Sequence, residues 1–270
     1  MAEIDKIVNK LWPLPSDFDP DKPDDKKVHL EYLKKKYGKE VIDRAIELET
    51  SWQQSCSEMD EEIFSKEFFD FLYRNSLCEE LNLRAPYYNR LTFSSLQEIL
   101  SLRKEPFTIT DLGAGEGRFD IALALSFANL EKVYAIDYLE SALTQIGLSK
   151  GLLDPEEREL TERKVVPVLG DYNDPEFIKK FTSQQRSDVA LNICTTNFDV
   201  FYNAPKFINQ KGTVINYTTH YLNDGEDRFS AIESELRGLI ENPDFSMAIL
   251  NRFRINPKRI VVASEFKRRE

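Results

Sequence analysis

Residues 107 to 119 read FTITDLGAGEGRF, a run of apolar and β-branched residues ending at Asp111, glycines at 113, 115 and 117, and then an amphipathic stretch. The first part fits a strand and the last part a helix, so the glycines form the turn between them. Glycine at such a turn permits backbone conformations closed to other residues and leaves no Cβ in the way of a ligand. The stretch therefore predicts a nucleotide-type cofactor site on a β/α unit.

The spacing distinguishes two kinds of cofactor. A dinucleotide fingerprint places its third glycine three positions after the second, and here that position is Arg118. The alternate-position pattern Asp-x-Gly-x-Gly-x-Gly instead resembles motif I of the class I S-adenosylmethionine-dependent methyltransferases. The resemblance extends over roughly residues 85 to 266. It implies a Rossmann-like α/β fold, S-adenosyl-L-methionine as cofactor with S-adenosyl-L-homocysteine as product, and cofactor contacts at Asp111, Gly113, Gly115 and Gly117.

Two further strand ends extend the resemblance. KVYAID (132–137) ends in Asp137, whose carboxylate suits both hydroxyls of an adenosine ribose, and the family commonly lays the next residue, here Tyr138, along the adenine. In KVVPVLGDYND (164–174) the match to the aspartate that accepts from the adenine amino group is Asp171, with Tyr172 beside the ring. Asn192, near the end of strand 188–194, falls where the family uses backbone near the methionine end. Aspartates after strands also serve as helix N-caps, so it is the set of three in order that carries the resemblance.

The surrounding pattern predicts helix 118–128, strand 132–137, helix 139–149, strand 164–169, helix 174–182, strand 188–194, helix 198–209 and strand 212–219. A helix at 226–241 and strand-like runs at 245–255 and 259–266 follow. Strict β/α alternation argues for a parallel sheet with helices on both faces, and the last two runs for a hairpin. The expectation is a seven-stranded, mostly parallel sheet with a C-terminal antiparallel hairpin over residues 107–270, a helical N-terminal cap at 39–106, and an extended or flexible segment at 1–38.

Within the cap, helical patterns at 39–56, 59–74 and 90–103 include an unusually apolar one, with Phe64, Phe68, Phe69, Phe71, Leu72 and Tyr73. Such a helix must be covered, either by the sheet domain or as a lid over the substrate. RAPYYNR (84–90) offers Tyr87 and Tyr88 as pocket walls and Arg90 as partner for a carboxylate, or is an ordinary loop packing on the next helix.

The chemistry implied by the resemblance is in-line transfer of a methyl group from a sulfonium to an oxygen or nitrogen nucleophile. Alignment and water exclusion then carry most of the catalysis. His220, closing VINYTTH, is a candidate general base or simply the end of a strand. After strand 188–194, CTTNF lacks the Asn/Asp-Pro-Pro-Tyr/Phe motif of the enzymes that methylate exocyclic amines of adenine or glutamine amides. Thr195, Thr196 and Asn197 are candidate acceptor-pocket residues, and a non-catalytic cofactor-binding scaffold is the alternative.

Net charge is −11, although residues 251 to 270 carry seven basic and two acidic side chains. An acidic body disfavours phosphate backbones, so a small-molecule acceptor is expected, with protein second and nucleic acid disfavoured. The basic end either binds an acidic partner or guards an exposed sheet edge. Cys56, Cys78 and Cys194 have no metal-ligand spacing, so no metal is expected. The absence of a long apolar run or leader pattern predicts a cytoplasmic protein without a membrane span.

Overall fold

The glycine turn is flanked as its sequence predicts. In the computed structural model, strand β1 (Phe107–Leu112) enters it and a helix at Arg118–Ser126 leaves it. The structure describes residues 2–14, 26–55, 61–78, 80–81, 85–193, 203–221, 245–256 and 259–268. The described helices are α1 (Ala2–Leu11), α2 (Lys26–Tyr37), α3 (Lys39–Ser55), α4 (Glu61–Arg74), α5 (Ala85–Ser101), α6 (Arg118–Ser126), α7 (Glu140–Lys150), α8 (Pro155–Lys164) and α9 (Pro175–Gln184). The other strands are β2 (Leu130–Asp137), β3 (Val165–Leu169), β4 (Ser187–Ile193), β5 (Ile208–Tyr221), β6 (Phe245–Asn256) and β7 (Arg259–Arg268). Among the described residues no helix is long and apolar enough to cross a membrane.

Strand order is β3-β2-β1-β4-β5-β7-β6. The first five pair in parallel, whereas β7 runs antiparallel to both β5 and β6. This is an α/β fold with a mostly parallel sheet. β1 is central, as expected for a strand with five of its six residues buried. Two buried clusters show how the faces are filled. Leu112, Ile136, Ala190, Val214 and Phe266 join Tyr172, Ile178 and Phe207 in one buried cluster, with Phe177 and Phe181 of α9 packed on it. On the other face Ala135 and Val165 pack with Ala124 of α6 and Ile146 of α7.

Helix ends follow local chemistry. α9 starts with Pro175 behind Asp174, whose carboxylate accepts the Glu176 N–H at 2.9 Å. Lys164, ending α8, donates to the carbonyl of Phe127 at 2.8 Å and so satisfies the C-terminal end of α6.

The chain divides into two compact units, Met1–Ile7 with Leu91–Glu270, and Val8–Arg90. The second has its own core of Leu33, Ile42, Ala45, Leu48, Phe68, Leu72 and Leu77. Trp52 stacks on Phe68 with ring centroids 5.3 Å apart. Phe68 and Leu72, one helical turn apart on α4, are thus covered inside their own helical unit.

Several sequence expectations need correction. The extended segment over residues 1–38 contains helices α1 and α2, and the Pro- and Asp-rich run that suggested it falls largely on residues 15–25, outside the described residues. The helix at 198–209 is replaced in its described part by one 3-10 turn, Ala204–Lys206, and by the start of β5. RAPYYNR is not a loop from Ala85 onward, because α5 begins there. The unexpected α8 fills the gap between residues 149 and 164, and the expected helix at 226–241 lies outside the described residues.

Candidate cofactor site

The turn after β1 is stitched to the end of β2. The N–H groups of Gly113 and Ala114 both donate to the Ile136 carbonyl, at 2.9 and 3.0 Å. This folds the chain back across the C-terminal edge of the parallel sheet, where ligands of open α/β sheets bind. Gly117 sits in the left-handed region at φ 64°, and a Cβ there would lie 2.6 Å from Ile146 Cγ1. Both facts require glycine, one through the backbone and one through the packing of α6 on α7.

Asp137 closes β2 against this turn. One carboxylate oxygen accepts the Gly115 N–H at 3.0 Å and the other the Leu139 N–H at 2.9 Å. The group is 4% exposed. Burial pushes its pKa above the ordinary carboxylate value, against the opposing pull of N–H donors from Leu139, Gly115 and Tyr138. Two carboxylate oxygens offer about four acceptor positions, so both oxygens remain candidates for the vicinal hydroxyls of a ribose beside these backbone bonds. The next strand end is tied in as well, since the Gly170 N–H donates to the Asp137 carbonyl at 3.0 Å. Asp171 follows immediately, half-buried, its carboxylate accepting the Asn173 N–H at 2.8 Å.

Asp111 and Asp120 form the second feature. Asp111, on β1, is 3% exposed, and Asp120, in the first turn of α6, is fully buried. Oδ1 of Asp111 and both carboxyl oxygens of Asp120 receive no hydrogen bond from any N–H or hydroxyl donor. The two carboxyls lie within hydrogen-bonding reach of each other. Two buried carboxyls in contact do not both ionise, so one carries a proton and donates it to the other. Burial raises the Asp111 pKa to about 7, with the proton bond from Asp120 pulling the other way. Burial and the neighbouring Asp111 charge hold Asp120 well above the carboxylate range. Asp120 was missed in the sequence because an aspartate in a first helical turn already has an ordinary explanation in the helix dipole.

The predicted site residues thus separate into groups. Asp111, Gly113, Gly115, Gly117, Asp137 and Asp171 gather at the C-terminal ends of β1, β2 and β3, with Tyr138 half-buried beside Asp137. Tyr172 is buried in the core cluster with Leu112 and Ile136, and Asn192 is buried on β4 in register with Asn216 of β5. Tyr87 and Tyr88 lie in the first turn of α5, rings 5.8 Å apart, and Arg90 donates from Nε to the Trp12 carbonyl at 2.7 Å, all three within the second unit. His220 is the penultimate residue of β5, opposite Ile260 of β7. Thr195, Thr196 and Asn197 lie outside the described residues. Among the described residues no group of His, Cys, Asp and Glu side chains is arranged to hold a metal ion.

The site therefore offers three glycines at positive φ, a two-oxygen acceptor at the adjacent strand end and a buried carboxyl pair, a set that fits an adenosine-type cofactor with a cationic tail. No family model matches the chain and no curated protein matches it. Solved structures do. A tRNA m1G37 methyltransferase of M. jannaschii is 20% identical, with a TM-score of 0.46, over 67% of this chain and 50% of its own. TYW2 of M. jannaschii, in complex with AdoMet, is 18% identical, with a TM-score of 0.44, over 68% and 76%. The ribosomal protein L11 methylase of Lactobacillus delbrueckii subsp. bulgaricus is 19% identical, with a TM-score of 0.43, over 65% and 77%. The resemblance is to methyltransferases. The matched region spans half the length of the M. jannaschii tRNA enzyme.

These neighbours correct the expected partners. A small-molecule acceptor was expected and nucleic acid disfavoured, yet the M. jannaschii enzyme is named for tRNA and the L. delbrueckii enzyme for a ribosomal protein. The physical reason is that a net charge of −11 describes the far field of the chain, not the few side chains that meet an acceptor.

Proposed function

We propose that this chain is an S-adenosylmethionine-dependent methyltransferase that transfers a methyl group to an oxygen or nitrogen of a nucleic-acid or protein acceptor. The observation that carries the reading is the Asp137 carboxylate, anchored on the Gly115 and Leu139 N–H groups beside three left-handed glycines. The sheet supports it: seven strands with β7 inserted antiparallel between β5 and β6 is the methyltransferase arrangement that the sequence resembles.

In this reading Asp137 holds the ribose hydroxyls, Asp171 accepts from the adenine amino group and Tyr138 packs along the ring. The glycine turn lets the backbone approach the cofactor, and the β4 backbone at Asn192 lies toward its methionine end. When bound, the cofactor supplies an activated methyl on a sulfonium, which displacement by the acceptor leaves as a thioether. The protein aligns the two atoms and excludes water. His220 is the candidate to take a proton from the acceptor.

The test is transfer of labelled methyl from S-adenosylmethionine to RNA and protein fractions by the full chain, with Asp137→Ala as control. Label in either fraction that disappears in the variant supports the reading. Failure of the folded wild-type protein to label both would overturn it.

A further inference from the structure

Three carboxyl oxygens inside a core that receive no hydrogen bond from an N–H or hydroxyl donor require a reason. Asp111 is the penultimate residue of β1, just before the turn, and Asp120 lies in the first turn of the helix that leaves the turn. We propose that Asp120 is a positioning residue for the cofactor site. It holds the one proton of the pair and donates it to Asp111, and the resulting single negative charge favours a sulfonium cofactor over its uncharged thioether product. The inference rests on the cofactor reading above and adds to it a means of telling substrate from product.

The surroundings leave this charge poorly compensated. β2 contributes Asp137, a like charge, and β4 contributes Leu191 in register with Asp111. α7 contributes Lys150, which acts on Asp120, is itself held below the ordinary lysine value by burial and is engaged by Glu162 of α8. Oδ1 of Asp111 and both oxygens of Asp120 receive no bond from an N–H or hydroxyl donor, and the hydrogen bonds acting on Asp111 come from the Leu112 backbone and from Asp120, neither of them a cation. A cationic ligand group is therefore the natural counter-charge. With the Asp111 carboxyl titrating at about 7, cofactor binding releases a proton below that pH, and affinity for the cation rises with pH.

Two measurements on the full chain test this. Carbon-13 NMR of labelled aspartate side chains, without ligand, should show one carboxyl of the pair titrating near neutrality and the other remaining protonated. Two carboxylates ionised at pH 7 would overturn the proposal. Calorimetric titration with S-adenosylmethionine and S-adenosylhomocysteine from pH 6 to 8.5 should then give a preference for the sulfonium that grows by up to about tenfold per pH unit below the pair's midpoint. Asp120→Asn, which still donates to Asp111, should keep that preference, and Asp120→Leu should lower it by about tenfold or more. A preference independent of pH, or unchanged in Asp120→Leu, overturns this inference while leaving the cofactor site standing. Binding of neither ligand by the folded wild-type protein overturns both.

Discussion

The Asp137 carboxylate accepts the Gly115 N–H at 3.0 Å and so locks the end of β2 to the middle of the turn after β1. Its other oxygen accepts from Leu139, which fixes the start of α7 as well. A charge-assisted bond of this kind contributes roughly 1.5–3 kcal/mol, and an unmet buried donor costs about as much. Asp137→Asn should therefore destabilise the chain by about 1–3 kcal/mol in urea unfolding, since an amide nitrogen cannot accept. A variant as stable as wild type would show that the turn does not depend on this carboxylate.

Gly117→Ala imposes two penalties at once. The left-handed backbone disfavours any Cβ by about 1–2 kcal/mol, and the added atom meets Ile146 Cγ1 at 2.6 Å. The loss should be about 2–3 kcal/mol. Combining it with Ile146→Val or Ile146→Ala relieves only the contact, so part of the loss must remain in the double variants. Complete recovery would remove the backbone argument.

Asp111 and Asp120 also give the stability a pH dependence of defined sign. Both carboxyls have folded-state pKa values above the unfolded value near 4, so their contribution is fully present below about pH 4 and declines as pH rises through about 7. Relative to wild type, Asp111→Asn should gain melting temperature steadily from pH 5 to pH 8. A constant difference over that range would mean that the pair carries no shared proton.

The helical unit supplies a separate check. Phe68 is 5% exposed within that unit's own core and stacks on Trp52. Phe68→Ala should destabilise it by about 3–5 kcal/mol and move Trp52 fluorescence to the red. Unchanged fluorescence would argue against the observed packing of α3 on α4.

What could be read in the sequence was what local chemistry encodes. The β-branched run before Asp111, the alternating glycines and the acid closing KVYAID determine backbone conformation and strand ends by themselves, and all appear where expected. Helix α8 escaped because PEERELTERK has almost no apolar periodicity, with Thr161 its buried residue. Its start was nevertheless spelled out: Pro155 follows Asp154, whose N–H donates to Glu157 at 3.0 Å. Helix α2 escaped for a similar reason, with five lysines masking Leu33, which is fully buried. The helix expected at 198–209 failed in its described part because Pro205 limits the chain to one 3-10 turn before β5 takes over. The Asp111–Asp120 pair was not legible at all, because proton sharing depends on how far the turn folds back, and neither side chain signals that alone.

Calorimetric titration of the full chain with S-adenosylmethionine, beside Asp137→Ala, tests the central claim most directly. The account predicts micromolar binding by the wild-type protein and a loss of at least tenfold in the variant. A folded wild-type protein that does not bind, or a variant that binds equally well, would contradict it.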